Sequence, residues 1–330
     1  MTRFPTFIGL LLTLFLVQAC SRTPAAPAQA KQTDETDPMR IVTTTGMIAD
    51  MVRSIGGDAV EVTSLIGVGV DPHLYKPTRD DVALLLQADM IFYNGLHLEG
   101  RMGDVLERAG ADRPTIAVTD EIPRSMLIDP QDGSGHPDPH VWLAPDLWSI
   151  CGFKVSWELS QLDPDNALVF NTNLDAWTTT TKELDELGSM SIGSIPTEAR
   201  LLVTSHDAFN YFGRAFDIEV MGVQGISTES EAGLADLEKL VNLVVERRIP
   251  AVFVESSVPR RSIEALIEGA AARGHEVTIG GELFSDSMGP AGTPEGTWHG
   301  MVLHDIRTVT TALGGALPDM PREDGARTDE

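Results

Sequence analysis

Short β-branched runs alternate with helical stretches along most of this chain, and they do so twice, on either side of a strandless stretch at 164–191. A strand that returns through a helix to a second strand builds a βαβ unit, so a series of such units specifies a parallel sheet flanked by helices. The first series predicts strands at 41–45, 60–66, 90–94 and 115–118, and the second at 200–204, 218–223, 251–255 and 276–279. Helices are predicted between them, for example at 78–87, 231–247 and 260–273, with Thr78 as a cap and Asp80 and Asp81 in the first turn of its helix. Between the two series, Leu168, Phe170, Leu174, Trp177, Leu184 and Leu187 recur with a helical period after Pro164, although the β-branched run at 178–181 opposes a helix there. A length of 330 residues exceeds the size at which a single core stops growing. The expected fold is therefore α/β, with two lobes at 39–163 and 192–315, each a mostly parallel four-stranded sheet flanked by helices, bridged by one long backbone helix at 164–191.

The ends of the chain have a different character. Arg3, an apolar run at 7–17 and the small-residue site before Cys20 resemble a bacterial lipoprotein signal peptide, and the run is too short for a spanning helix. The resemblance implies removal of residues 1–19 and acylation of Cys20. Residues 20–38, rich in Ala, Pro, Gln and Thr, then read as a flexible tether, and 316–330 as a polar, disordered tail. The body is expected outside the cytoplasm, lipid-anchored to a membrane and monomeric. Cys151 is left without a partner for a disulfide and reads as a buried apolar residue. With 24 Lys and Arg against 49 Asp and Glu, the formal charge of -25 repels phosphate backbones, so nucleic acid is not an expected partner, whereas cations are attracted.

The residues that carry chemistry fall after predicted strands, where parallel sheets place their ligands. Asp71-Pro72-His73-Leu74-Tyr75 follows the second strand and is echoed by Asp138-Pro139-His140-Val141-Trp142 after the fourth. In both, proline fixes the backbone before the histidine, so the imidazole is presented from a stiff turn. His206 and Asp286 follow strands of the second series. Three neutral imidazoles and one carboxylate suit a first-row divalent cation, zinc with manganese also possible. Metal-bound histidines need outer partners to fix their tautomer, and Glu255, Asp207 and His136 are candidates, with Asp71 and Asp138 beside them. His97 is expected at the surface or lining the cleft, and His275, His299 and His304 as structural residues.

With these residues assembled, the chain resembles the metal-binding receptors of bacterial ABC importers for zinc and manganese, the cluster A-I, TroA-like family, over about residues 40–315. The two Asp-Pro-His segments carry the resemblance together with Asn94-Gly95-Leu96, Thr204-Ser205-His206-Asp207-Ala208-Phe209, Gln224-Gly225-Ile226-Ser227-Thr228-Glu229, Phe253-Val254-Glu255-Ser256-Ser257 and Gly280-Gly281-Glu282-Leu283-Phe284-Ser285-Asp286. The family implies a metal buried between two lobes on His73, His140, His206 and Asp286, and a membrane permease with its ATPase as partners. Two departures bear on the metal. The stretch 129–138 is short and holds only His136, unlike the histidine-rich loop of dedicated zinc receptors. Dedicated manganese receptors often carry glutamate where this chain has His206. The expected function is capture of Zn²⁺ or Mn²⁺ as a transported ligand, without a reaction. The alternative is a zinc-dependent hydrolase using the same four residues. It lacks a pair of histidines on one helix, and four protein ligands leave little room for the water that catalysis needs.

Overall fold

The computed structural model describes Met1 and residues 37–129, 135–229 and 233–318. The expected signal peptide after Met1, Cys20, nearly all of the tether and all but the first residues of the tail lie outside them. In the first half, β1 (Met39–Thr43), β2 (Val60–Ser64), β3 (Met90–Tyr93) and β4 (Thr115–Ala117) form one parallel sheet in the order β2-β1-β3-β4. Ile41 of β1 and Ile91 and Phe92 of β3 are fully buried, as central strands covered on both faces must be. The helices of this half are α1 (Gly46–Gly56), α2 (Arg79–Gln87), α3 (Gly103–Gly110) and α4 (Pro145–Leu162). Thr78 caps α2 as the sequence suggests: its hydroxyl accepts from Asp81 N–H while Asp81 accepts from Thr78 N–H.

The strandless stretch begins as a short 3₁₀ turn at Pro164–Asn166 and continues as α5 (Ala167–Gly193). At 27 residues this helix is about 40 Å long. The threonines that argue against it stay helical because the hydroxyls of Thr179, Thr180 and Thr181 each donate to the carbonyl four residues earlier. The helix packs against α1 and α4 and also against helices of the second half. Gly152 and Gly188 permit that approach: a Cβ on the first would lie 2.5 Å from the Trp177 ring and on the second 2.3 Å from the Phe216 ring.

The second half contains α6 (Asn210–Phe216), α7 (Leu234–Glu246), α8 (Arg261–Ala271) and α9 (Trp298–Ala312). Its four strands, β5 (Leu201–His206), β6 (Glu219–Gln224), β7 (Ala251–Glu255) and β8 (Thr278–Leu283), do not form one continuous ladder but two parallel pairs, β5 with β6 and β7 with β8. β5 and β7 run side by side. At their carboxyl ends the Glu255 side chain accepts the His206 backbone N–H at 2.8 Å, linking the two pairs. α9 returns to pack on α5 and α1, and one apolar core runs through both halves, with the Trp298 indole of α9 against those of Trp148 on α4 and Trp177 on α5.

Candidate metal centre

Four side chains that the sequence places after four different strands converge on one point. The ligating atoms of His73, His140, His206 and Asp286 all lie within 4.8 Å of one another, and all four residues are buried. The two Asp-Pro-His turns share a backbone device: His73 N–H donates to Asp71 Oδ1 at 2.8 Å and His140 N–H to Asp138 Oδ1 at 3.0 Å. Such a turn stops the chain and turns the imidazole inward. His206 ends β5, where Thr204 Oγ1 donates to its carbonyl. Asp286 follows β8 on a segment held by Asp305, whose Oδ1 accepts Phe284 N–H at 3.0 Å.

The donor atoms are spaced for a small cation. His73 Nε2 and His140 Nε2 are 3.2 Å apart, and Asp286 oxygens lie 3.3 Å from His140 Nε2, 3.2 Å from His206 Nε2 and 3.8 Å from His73 Nε2. Ligands at the usual zinc bond length on a tetrahedron are separated by about 3.4 Å. His206 Nε2 and both Asp286 carboxylate oxygens are buried without a hydrogen-bond partner. Buried polar atoms are ordinarily satisfied, and a convergent set that is not has the chemistry of a ligand cage.

Two of the imidazoles are fixed from behind. Asp138 Oδ1 lies 2.7 Å from His140 Nδ1, and Glu255 Oε2 lies 2.5 Å from His206 Nδ1, so Nε2 of each faces the centre. Asp207 lies beside the centre: its carboxyl, raised by burial, is next to Asn210 and near Asp138, His140 and His206, while the carboxylates on the histidine Nδ1 atoms are those of Asp138 and Glu255. His136 stacks on His97 at 4.2 Å, outside the centre, both lining a cavity of about 190 Å³ that leads to His73.

The full-length pattern has counterparts. Residues 41–312 match the family described as ZnuA, zinc-uptake complex component A, periplasmic. The chain belongs to this family. Among similar sequences, the ZnuA-family chain is 43% identical to the manganese-binding lipoprotein MntA of Bacillus subtilis (strain 168), over 92% of its own length and 97% of that protein. It is 46% identical to the zinc-binding protein TroA of Treponema pallidum, over 83% of its length and 88% of that protein. The solved structure of periplasmic zinc-binding TroA from Treponema pallidum superposes with a TM-score of 0.81, covering 84% of this chain and 99% of that one.

Burial and neighbouring carboxylates set the protonation of the four side chains in this ZnuA-family chain. Burial alone would lower the His140 pKa, but the Asp138 carboxylate, helped by Asp286, raises it to about 9. Burial likewise opposes charge on His206, and Glu255 and Asp286 outweigh it, lifting His206 well above its ordinary value. His73, with no such carboxylate dominating, is driven by burial down to about 3. Burial would raise Asp286, yet His206 and His140 hold it well below the usual carboxylate range. A raised histidine stabilises the metal-free fold below its unfolded value of ~6.5, and that contribution is lost as pH rises through about 9 for His140. Histidine must be neutral to ligate. Cation binding at pH 7.5 should therefore release protons, and affinity should rise with pH toward about 9. Titration calorimetry in buffers of different ionisation enthalpy measures the release; a binding heat independent of buffer would contradict it.

Several residues of the site have no advance signal as such. Glu99 is buried and accepts from Thr44 Oγ1, Asn94 N–H and Gly95 N–H. It thereby holds a turn in which Gly95, Leu96 and His97 all have positive φ, 87°, 51° and 70°. Asn94 in turn donates to Pro139 O, directly before His140. Tyr211 Oη donates to Asp138 O, and Trp142 Nε1 to Ser285 O at 2.8 Å. The segments of Glu99 and Trp142 are distinctive in sequence, but the contacts that tie them to the site, Thr44 with Glu99, Asn94 with Pro139 and Trp142 with Ser285, join residues more than 40 positions apart.

Proposed function

We propose that this protein is an extracytoplasmic receptor that captures a divalent transition-metal ion, Zn²⁺ or Mn²⁺, on His73, His140, His206 and Asp286 and delivers it to a membrane permease driven by an ATPase. The observation that carries this reading is the convergence of four buried donor atoms from both halves of the chain, within 4.8 Å of one another. Two lobes, 39–163 and 192–315, joined through 164–191, would act as the pincer. All four positions of a tetrahedral cage are then protein atoms, which suits capture of a cation as cargo better than a catalytic zinc with an open position. No helix among the described residues is long and apolar enough to cross a membrane. A lipid on Cys20 and the tether at 20–38 would keep the receptor, as a monomer, beside its permease. MntA of Bacillus subtilis, similar over nearly its whole length, is named a lipoprotein.

Three imidazole nitrogens and one carboxylate bind zinc more tightly than manganese by intrinsic affinity, so which ion is carried depends on availability as well as on the cage. Metal content of the purified protein, followed by competitive titration of the two ions, tests the reading. One equivalent of either ion is expected, with zinc displacing manganese. A protein that holds less than a tenth of an equivalent of both after loading at neutral pH is not such a receptor.

A further inference from the structure

The three histidines are not held alike. His140 and His206 each have a carboxylate on Nδ1, supplied by Asp138 and Glu255. His73 is positioned instead through its backbone, whose N–H donates to Asp71 Oδ1 at 2.8 Å. The other oxygen of the same carboxylate accepts the hydroxyl of Thr228, which belongs to the second half of the chain. Two residues upstream of Asp71, Gly69 N–H donates to Ser287 Oγ at 2.7 Å, again across the gap between the halves. The loop that carries His73 is thus tied to the opposite half at two points. The neighbouring residue Glu229 pairs with Arg101 at 2.9 Å over the cavity that leads to His73.

We propose that Thr228 is a positioning residue for cation release: by holding Asp71 from across the cleft it fixes the His73 turn, and loss of this contact lets His73 leave the cation first. The inference rests on the reading of the site as a cation cage. Asp71 has one oxygen for each side, so separation of the halves removes the Thr228 donor from the carboxylate that orients His73. The same movement withdraws Ser287 from Gly69. Asp138 is also held from the second half, by Asn210 Nδ2 on its Oδ2 at 3.1 Å, but its Oδ1 bonds the His140 imidazole directly, and His206 has its Glu255 within its own half, so neither ring depends on Thr228. The Arg101–Glu229 pair, with both side chains at least a third exposed, contributes less than the half-buried Thr228–Asp71 contact.

The test uses the full-length chain loaded with one equivalent of Zn²⁺ and rapid mixing with an excess of a chromogenic chelator. Thr228→Val keeps the shape and removes the donor; release about tenfold faster than wild type is expected, from loss of a hydrogen bond to a charged group, with an unchanged association rate. Thr228→Ser restores the donor and should release at the wild-type rate. Release from Thr228→Val at the wild-type rate overturns the proposal, as does Thr228→Ser behaving like Thr228→Val. A lower melting temperature of metal-free Thr228→Val with unaltered release would show a merely structural contact and also overturns it. Failure of the wild type to bind zinc at all would instead remove the receptor reading, so the two failures are distinguishable.

Discussion

His206→Ala should lower affinity for both Zn²⁺ and Mn²⁺ by more than about a hundredfold, since loss of an outer partner alone typically costs 10- to 100-fold. His206 lies at the meeting point of both supports of the site. Its Nε2 is 3.2 Å from Asp286 Oδ2 and its Nδ1 is 2.5 Å from Glu255 Oε2, with all three side chains fully buried. Truncation removes one donor from the cage and also strips two buried carboxylates of the cation between them. Breaking a buried ion pair by removing one partner costs about 3–5 kcal/mol, so the metal-free variant should also melt earlier at neutral pH. Glu255→Gln separates the two effects. It leaves all four proposed ligands in place, so its loss of affinity should stay within about 10- to 100-fold. Competitive titration against a chelator of known affinity measures both; an affinity for His206→Ala equal to that of the wild type would remove His206 from the ligand set.

Trp142→Ala should be the most destabilising single change near the site. The side chain is 1% exposed, its ring lies 5.3 Å from that of His140, and its Nε1 donates to Ser285 O in the second half. Its own carbonyl accepts from Trp298 Nε1 on α9 at 2.8 Å. Removing a buried indole costs about 3–5 kcal/mol through lost transfer and the cavity left behind, which in a chain of this size lowers the melting temperature by on the order of 10 °C. Ser285 immediately precedes Asp286, so the variant should also bind the cation more weakly than its stability alone explains. Trp142→Phe, which keeps most of the ring but not the N–H, should lose about 1–3 kcal/mol by leaving Ser285 O unsatisfied. Thermal denaturation of the metal-free proteins checks both values, and an unchanged melting temperature for Trp142→Ala would be incompatible with this packing.

Strand and helix positions were legible because a period of two or of 3.6 is a local property. The strand at Ala251–Glu255 has the limits expected from its residues alone, and the others differ by one to four residues at their ends. The helix α4 (Pro145–Leu162) has no such clarity: besides the face it buries, it carries Phe153 and Trp157 exposed on another, so its apolar residues do not keep to one side and its period is weak. The second half's division into two strand pairs was also beyond sequence pattern. The bond from the His206 backbone N–H to the Glu255 side chain, 49 residues away, was equally out of reach of local pattern.

Residue order and type by themselves determined the two series of strands, the helix between them and the four polar side chains delivered at strand ends. Each of these follows from local periodicity, from proline and from the rule that parallel strands present their following loops on one edge. Only the tertiary structure decided that the two Asp-Pro-His turns are unequal. Both aspartates accept the backbone N–H of their histidine, but Asp138 also takes the Nδ1 of His140, while Asp71 turns its second oxygen to Thr228. The difference has a physical cause that no local sequence contains: the second half of the chain is packed against one turn at Thr228 and Ser287 and against the other at Asn210 and Tyr211, and a carboxylate satisfies whichever donors reach it.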